Sequence, residues 1–222
     1  CEVELLDRMG TDLTVVNAAR VSFATRSSTL EERDLKLLNY LAREQHFSPF
    51  RHCHVTVRLK CPEFIARQLY KHIVGIEVTS TSSTKDHAWS EVSGRYKVLH
   101  EVYVPLVFHQ QHPSAKQCSG EPVEPEVNQV CRDNILKHHE VTWQLYRELL
   151  DQGVSKEEAR QVLPLSFVTE VIWTASLQAL FHVVELRQDP HAQTEIRMLA
   201  DQLEAVALQC FPEAYGALKR TL

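Results

Sequence analysis

The chain has 222 residues, 44% hydrophobic and 24% charged, with a formal net charge of −5. This length buries a core in one domain, or two at most, and the acidic balance excludes a nonspecific nucleic-acid binder, whose surface is basic. No apolar run is long enough to span a membrane.

Cys1 to Asp7 lacks the basic and apolar regions of a signal peptide. The first residue is not Met, which suggests trimming, and the expected location is the cytoplasm. The six cysteines, Cys1, Cys53, Cys61, Cys118, Cys131 and Cys210, form no CxxC pair, so they read as small buried hydrophobes. The histidines His52 and His54, and the run His138-His139-Glu140, lack a metal-ligand spacing such as HExxH. No metal site is expected.

In chain order, Val3 to Leu6 reads as a strand. A helix capped by Asp12 runs to about Val21. Thr29 with Glu32 forms a capping box for a second helix, striped by Leu35, Leu38 and Leu41. His46 to His52 is a loop, and Cys53 to Cys61 alternates as a strand. Pro62 sits in the first turn of the next helix. Glu77 to Ala88, rich in Thr and Ser, reads as a mobile loop within a polar insert at about 76–90. Val102 to Phe108 is extended, and His109 to Pro125 is a surface loop. Glu126 to Gln152 is a long helix, with Val130, Ile135, Leu136, Trp143, Leu145, Leu149 and Leu150 as core candidates, stopped by Gly153. A short helix follows Ser155 and ends at Pro164. Phe167 to Trp173 is a strand, and Leu177, Leu180, Phe181 and Val184 stripe a helix. Asp189-Pro190 begins the last long helix. The sum is an α+β fold, a single domain over 1–222 with a mixed sheet packed against long helices.

Two stretches concentrate chemistry. In Arg67-Gln68-Leu69-Tyr70-Lys71-His72, helical spacing sets Ile65, Leu69 and Ile73 on one face and Arg67, Gln68, Lys71 and His72 on the rest. Two cations, an amide and an imidazole suit an anion or a polar heterocycle; the plain alternative is a solvated polar face. In Ser90-Glu91-Val92-Ser93-Gly94-Arg95-Tyr96, an extended chain points Glu91, Ser93 and Arg95 the same way.

With Leu186-Arg187-Gln188-Asp189-Pro190-His191 added, the chain resembles the flavin-dependent thymidylate synthases over nearly its whole length. Ala19-Arg20-Val21-Ser22, His46-Phe47-Ser48-Pro49-Phe50 and Ala159-Arg160-Gln161-Val162-Leu163-Pro164 complete six segments in the family's order. The resemblance implies methylation of dUMP to dTMP, with methylenetetrahydrofolate as carbon donor, NADPH reducing the flavin, and no cysteine nucleophile. It also implies a homotetramer with FAD at subunit junctions.

Carried over residue by residue, it implies a dUMP site of Gln68, Leu69, Tyr70, Lys71, Glu91, Val92, Ser93, Gly94, Arg95, Arg160 and Arg187. Arg187 is the catalytic residue, a cation at N3/O4 of the uracil. FAD contacts are implied at Ser48, Lys71, His72, Ile73, Glu91, Ser176, Leu177, Gln178 and His182. Guanidinium and hydroxyl donors suit a phosphate, and Lys71 and His72 suit the anionic edge of a reduced flavin. The plain readings are a dipole-complementing Arg187, a surface-paired Arg160 and a core His182.

The chain departs from the family in three places. Lys71-His72-Ile73 stands for an Arg-His-Arg triplet, Ser90 stands where Asn is usual, and the insert lengthens the spacing to Glu91. Lys85 is the candidate to replace the lost cation, or the insert is a lid. Two rivals follow: a degenerate nucleotide- and flavin-binding relative without turnover, and a histidine-rich metal hydrolase.

Overall fold

A computed structural model of the chain describes residues 1–72, 75–78, 82–85, 87–116 and 118–222; for 75–78, 82–85 and 87 it describes the backbone only. The first half holds β1 (Glu2–Met9), α1 (Asp12–Arg20), α2 (Glu32–Arg43), β2 (His54–Pro62) and α3 (Glu63–Tyr70). Next come β3 (Gly75–Val78), β4 (Ser82–Lys85), β5 (His87–Glu91), β6 (His109–Gln111) and β7 (Ser119–Pro122). The second half holds α4 (Pro125–Asp151), α5 (Lys156–Ala159), β8 (Val168–Ser176), α6 (Leu177–Arg187), α7 (Thr194–Cys210) and α8 (Pro212–Lys219). Short 3-10 turns occupy Val21–Phe23, Ser48–His52 and Arg160–Val162.

Four strands form the main sheet in the order β1-β2-β8-β5. The α+β class holds, but the sheet is antiparallel throughout rather than mixed. β2 and β5 do run the same way, but β8 lies between them and runs opposite to both, so every hydrogen-bonded pair of the sheet is antiparallel.

Alternation decides the faces. Val55, Val57, Leu59 and Cys61 of β2 are buried with Val171, Trp173 and Ala175 of β8. The other face carries Arg58, paired with Glu4 at 2.8 Å and Glu170 at 3.6 Å, and Lys60, paired with Glu101 at 2.8 Å. The helices α3, α6 and α7 therefore pack on the buried side, and α7 touches both α3 and α6. Among the described residues, no helix is long and apolar enough to cross a membrane.

Several local expectations shift. The caps of α1 and α2 are Thr11 and Glu31, one residue before and two residues after the sequence positions, each in a capping box with the residue three on. The insert is not a plain loop: β3 and β4 pair as a hairpin, and β5 joins the sheet beside β8. Residues 79–81 and 86 lie outside the described residues, as does the side chain of Lys85. The stretch from 109 to 125 contains the β6–β7 hairpin, and of Val102 to Phe108 only Val102 makes a bridge, to Phe167. The last long helix begins at Thr194 rather than at Pro190, because the Asp189 carboxylate accepts the His191 N–H at 2.7 Å and turns the chain first. Gly153, with φ of +86°, ends α4 as expected. However, Val130, Leu136 and Leu145 of α4 are exposed, while His139, Thr142 and Tyr146 are buried.

The Arg20 segment serves the fold. Arg20 donates from Nε to Asp34 Oδ1 at 2.9 Å, Ser27 Oγ donates to the same oxygen at 3.0 Å, and the Glu31 N–H donates to Oδ2 at 3.1 Å. Asp34 is fully buried. Burial works against its charge, but Arg20, the Glu31 N–H and Ser27 more than offset it and hold the carboxyl below its usual value. A lowered carboxylate pKa gives stability that is present at neutral pH and lost as pH falls through the folded value. Asp34→Ala leaves Arg20 unpaired and should cost about 3–5 kcal/mol in urea unfolding at pH 7; a loss below about 1 kcal/mol would contradict this structural role.

Candidate functional site

The site is built on α3. Pro62 ends β2 and caps the helix, and the first two helical N–H groups are satisfied by β8's approach: Glu63 donates to Phe167 O at 2.9 Å and Phe64 to Leu165 O at 3.1 Å. Ile65, Ala66 and Leu69 face the core. Arg67, Tyr70 and Lys71 are exposed, and Gln68 and His72 are half-buried. The helix thus turns its polar residues outward on two flanks.

One flank faces β5. A cleft of about 410 Å³ is lined by Glu63, Ala66, Arg67, Tyr70, Lys71, Trp89 and Glu91. Glu91 is held by two donors: Thr169 Oγ1 donates to Oε1 at 2.7 Å and Trp89 Nε1 to Oε2 at 3.2 Å. Tyr70 meets the Trp89 ring edge-on, 5.3 Å between centroids.

Past Glu91, the Val92 N–H still donates to Glu170 O at 2.9 Å, and the chain then turns, with Ser93 O accepting from the Tyr96 and Lys97 N–H groups at 3.0 Å. Arg95 Nε donates to Ser93 Oγ at 3.4 Å. Gly94 is needed here for space: a Cβ would lie 3.2 Å from Arg160 Cδ and 3.4 Å from Leu99 Cδ1. Ser93, Gly94, Arg95 and Arg160 therefore form one patch of hydroxyl and guanidinium donors, with Arg160 Nε donating to Glu157 O at 3.3 Å.

The other flank faces the end of α6. A cleft of about 600 Å³ is lined by Gln68, Leu186, Arg187, Asp189, His191, Ala192 and Gln193, and Gln68 Nε2 donates to Gln193 Oε1 at 2.8 Å. Arg187 Nε donates to His72 Nε2. A guanidinium offers no acceptor, so this contact requires neutral His72 with its proton on Nδ1. Burial, then the charges of Arg187 and His182, push His72 down to about 4. The His72 and His182 rings stand edge-on, 6.1 Å apart.

The single expected set is thus divided. Tyr70, Lys71 and Glu91 line the first cleft, and Gln68 and Arg187 line the second with His72 and His182 beside Arg187. Ser93, Gly94, Arg95 and Arg160 form the patch past Glu91, where Val92 lines a separate pocket with Lys60 and Glu170. Leu69 and Leu177 are buried, so their side chains hold the core. Buried Ser176 caps α6, its Oγ accepting the Ala179 N–H at 3.2 Å. Ile73 lies outside the described residues. Glu63 and Trp89 went unseen in the sequence, though both had a signal. Glu63 is four residues before Arg67 and eight before Lys71, hence on their face. Trp89 is two before Glu91 in an extended strand, hence on its side.

A flavin asks for donors and cations beside an open face. Ser48 is exposed in the turn packed against α6, Gln178 and His182 are half-buried along that helix, and Arg187 stands where it ends, beside His72, while Lys71 lines the other cleft. The residues present fit such a group.

A family model for thymidylate synthase complementing proteins matches residues 4–213. The chain belongs to that family. A flavin-dependent thymidylate synthase of Thermus thermophilus is 37% identical over 222 residues, covering 99% of this chain and 76% of the relative. One from Thermotoga neapolitana is 36% identical over 216 residues, 97% of this chain and 89% of the relative. Among solved structures, the UMP/dUMP methylase PolB of Streptomyces cacaoi, bound with 5-Br dUMP, superposes with a TM-score of 0.85 at 30% identity. That match covers 99% of this chain and 94% of PolB. The family's shared architecture agrees with the α+β fold described above.

The His72–Arg187 contact has a pH signature. A histidine held below its free value of about 6.5 gives stability that is full above that value and lost as pH falls toward about 4. The melting temperature should therefore fall more between pH 7 and pH 4.5 in the wild-type protein than in His72→Asn. Equal falls would show that His72 is not held neutral.

Proposed function

We propose that this chain is a flavin-dependent thymidylate synthase that converts dUMP to dTMP, with methylenetetrahydrofolate as carbon donor and NADPH-reduced FAD as hydride source. The observation that carries this reading is Arg187, held by a neutral imidazole at the mouth of a cleft, in a chain 37% identical to a flavin-dependent thymidylate synthase.

The uracil ring becomes nucleophilic at C5 when negative charge at N3 and O4 is stabilised. Arg187 is that cation: His72 accepts from its Nε, and the residue lines the cleft. Gln68 lines the same cleft and offers its amide to the ring. Ser93, Arg95 and Arg160 bind the phosphate. Glu91, fixed by Thr169 and Trp89, orients the pyrimidine. Ser48, Lys71, His72, Gln178 and His182 would hold the flavin, which would supply the hydride when bound. Cys53 and Cys61 take no nucleophilic part, because burial pushes both thiols up to about 12.

A homotetramer belongs to this reading, as does a cytoplasmic location. Two observations support a site shared between copies. The nucleotide residues fall on opposite flanks of α3, and Val127, Val130, Leu136, Val141 and Leu145 expose apolar surface along α4.

The test is dTMP formation from dUMP, methylenetetrahydrofolate, NADPH and FAD. Arg187→Ala should lower kcat by about 10²–10³ while the protein still melts cooperatively. Wild-type turnover in the variant would remove the assigned role of Arg187. A folded wild-type protein that binds dUMP and flavin without turnover would overturn the synthase reading.

A further inference from the structure

Glu63 has no place in the account so far, yet it stands in the cleft within hydrogen-bonding reach of the Glu91 carboxyl. Two carboxyl groups this close share a proton rather than both ionise. The surroundings decide which one keeps it. Glu91 accepts from a buried hydroxyl, Thr169, on one oxygen and from the Trp89 indole N–H on the other. Glu63 is half-buried, and among the described residues Arg67 is the cation that acts on it. Burial, then the charge and the hydrogen bond of Glu91, push Glu63 up to about 7.

We propose that Glu63 is a positioning residue for the nucleotide: its protonated carboxyl donates to Glu91, holds that carboxylate toward the pyrimidine, and releases it on ionising. This rests on the reading of Glu91 as a dUMP contact. The other groups near Glu63 among the described residues are Arg67, Tyr70 and Lys71 of α3, Trp89 of β5, Thr169 of β8, and Cys61 of β2, whose thiol burial pushes up to about 12 and which the N-terminal amine also influences. The sign follows. Above about pH 7 the cleft gains a second negative charge, Glu91 loses a donor, and an anionic nucleotide binds less well. Glu63 thereby makes affinity for a nucleoside monophosphate fall across neutral pH.

Calorimetric titration of dUMP into the flavin-loaded protein at pH 6 to 9 tests this, with Glu63→Gln and Glu63→Leu alongside. The nucleotide phosphate loses its second proton near pH 6, so the range above pH 7 isolates the protein group. Wild-type affinity should fall roughly tenfold between pH 7 and 8.5. Glu63→Gln, which keeps an N–H donor but cannot ionise, should lack that fall, and Glu63→Leu should bind more weakly than Glu63→Gln throughout. A fall in Glu63→Gln equal to that of the wild type overturns the proposal, and so does equal binding by the two variants. Wild-type protein that binds no dUMP at any pH overturns the site reading beneath it, and this inference with it. A carboxyl-carbon resonance offers a readout without substitution. One glutamate should titrate near pH 7 and move to higher pH when dUMP saturates the protein; no movement overturns the coupling.

Discussion

The pairing of β2 with β8 sets everything above it. Nine residues of each run antiparallel, from His54 opposite Ser176 to Pro62 opposite Val168. Each strand passes directly into a helix, α3 after Pro62 and α6 after Ser176, so the two helices start from opposite ends of one strand pair. Nine strand residues span about 27 Å. From Glu63 to His72 a helical path is about 15 Å, and α6 is about 16 Å long. Two helices folding back over the same face have just the reach to meet, and they meet at their C-terminal ends, where Arg187 touches His72.

Two helix C-termini brought together concentrate partial negative charge, which cations at the last turns offset. Lys71 and Arg187 stand there. The fold therefore has its own electrostatic reason for cations at the place where an anionic, electron-rich ligand needs them. The imidazole between them stays neutral because burial and Arg187 both oppose a second positive charge. On the opposite flank the logic has the other sign: the N-terminus of α3 and Arg67 favour a carboxylate, while burial and Glu91 favour the acid. On the proposed reading the cleft holds one proton between two carboxyls near pH 7.

Much of this was legible in the sequence because burial imposes periodicity. β2, α3 and α6 each carry one buried face, and alternation or helical spacing located them within a residue or two. Other parts left no such trace. The β3–β4 hairpin pairs through its backbone, and a Thr/Ser-rich run shows no apolar alternation, so it read as a loop. Asp189-Pro190 has the chemistry of a helix start, but the Asp189 carboxylate closes a turn on His191 instead. Val130, Leu136 and Leu145 of α4 looked like core and are exposed in the single chain, because sequence periodicity marks an apolar face without saying what covers it. In the site, residue types were legible and grouping was not. Gln68 and Lys71 are three apart on one helix, yet they line different clefts.

On the proposed reading, the meeting of α3 and α6 builds a nucleotide site around Arg187. A structure of the protein crystallised with FAD and 5-bromo-dUMP tests it most directly, since bromine marks C5 by anomalous scattering. The account predicts the pyrimidine against Arg187 and Glu91, with the phosphate on Ser93, Arg95 and Arg160, whichever copies of the chain supply them. A nucleotide bound elsewhere, or one whose ring lies out of reach of Arg187, would contradict it.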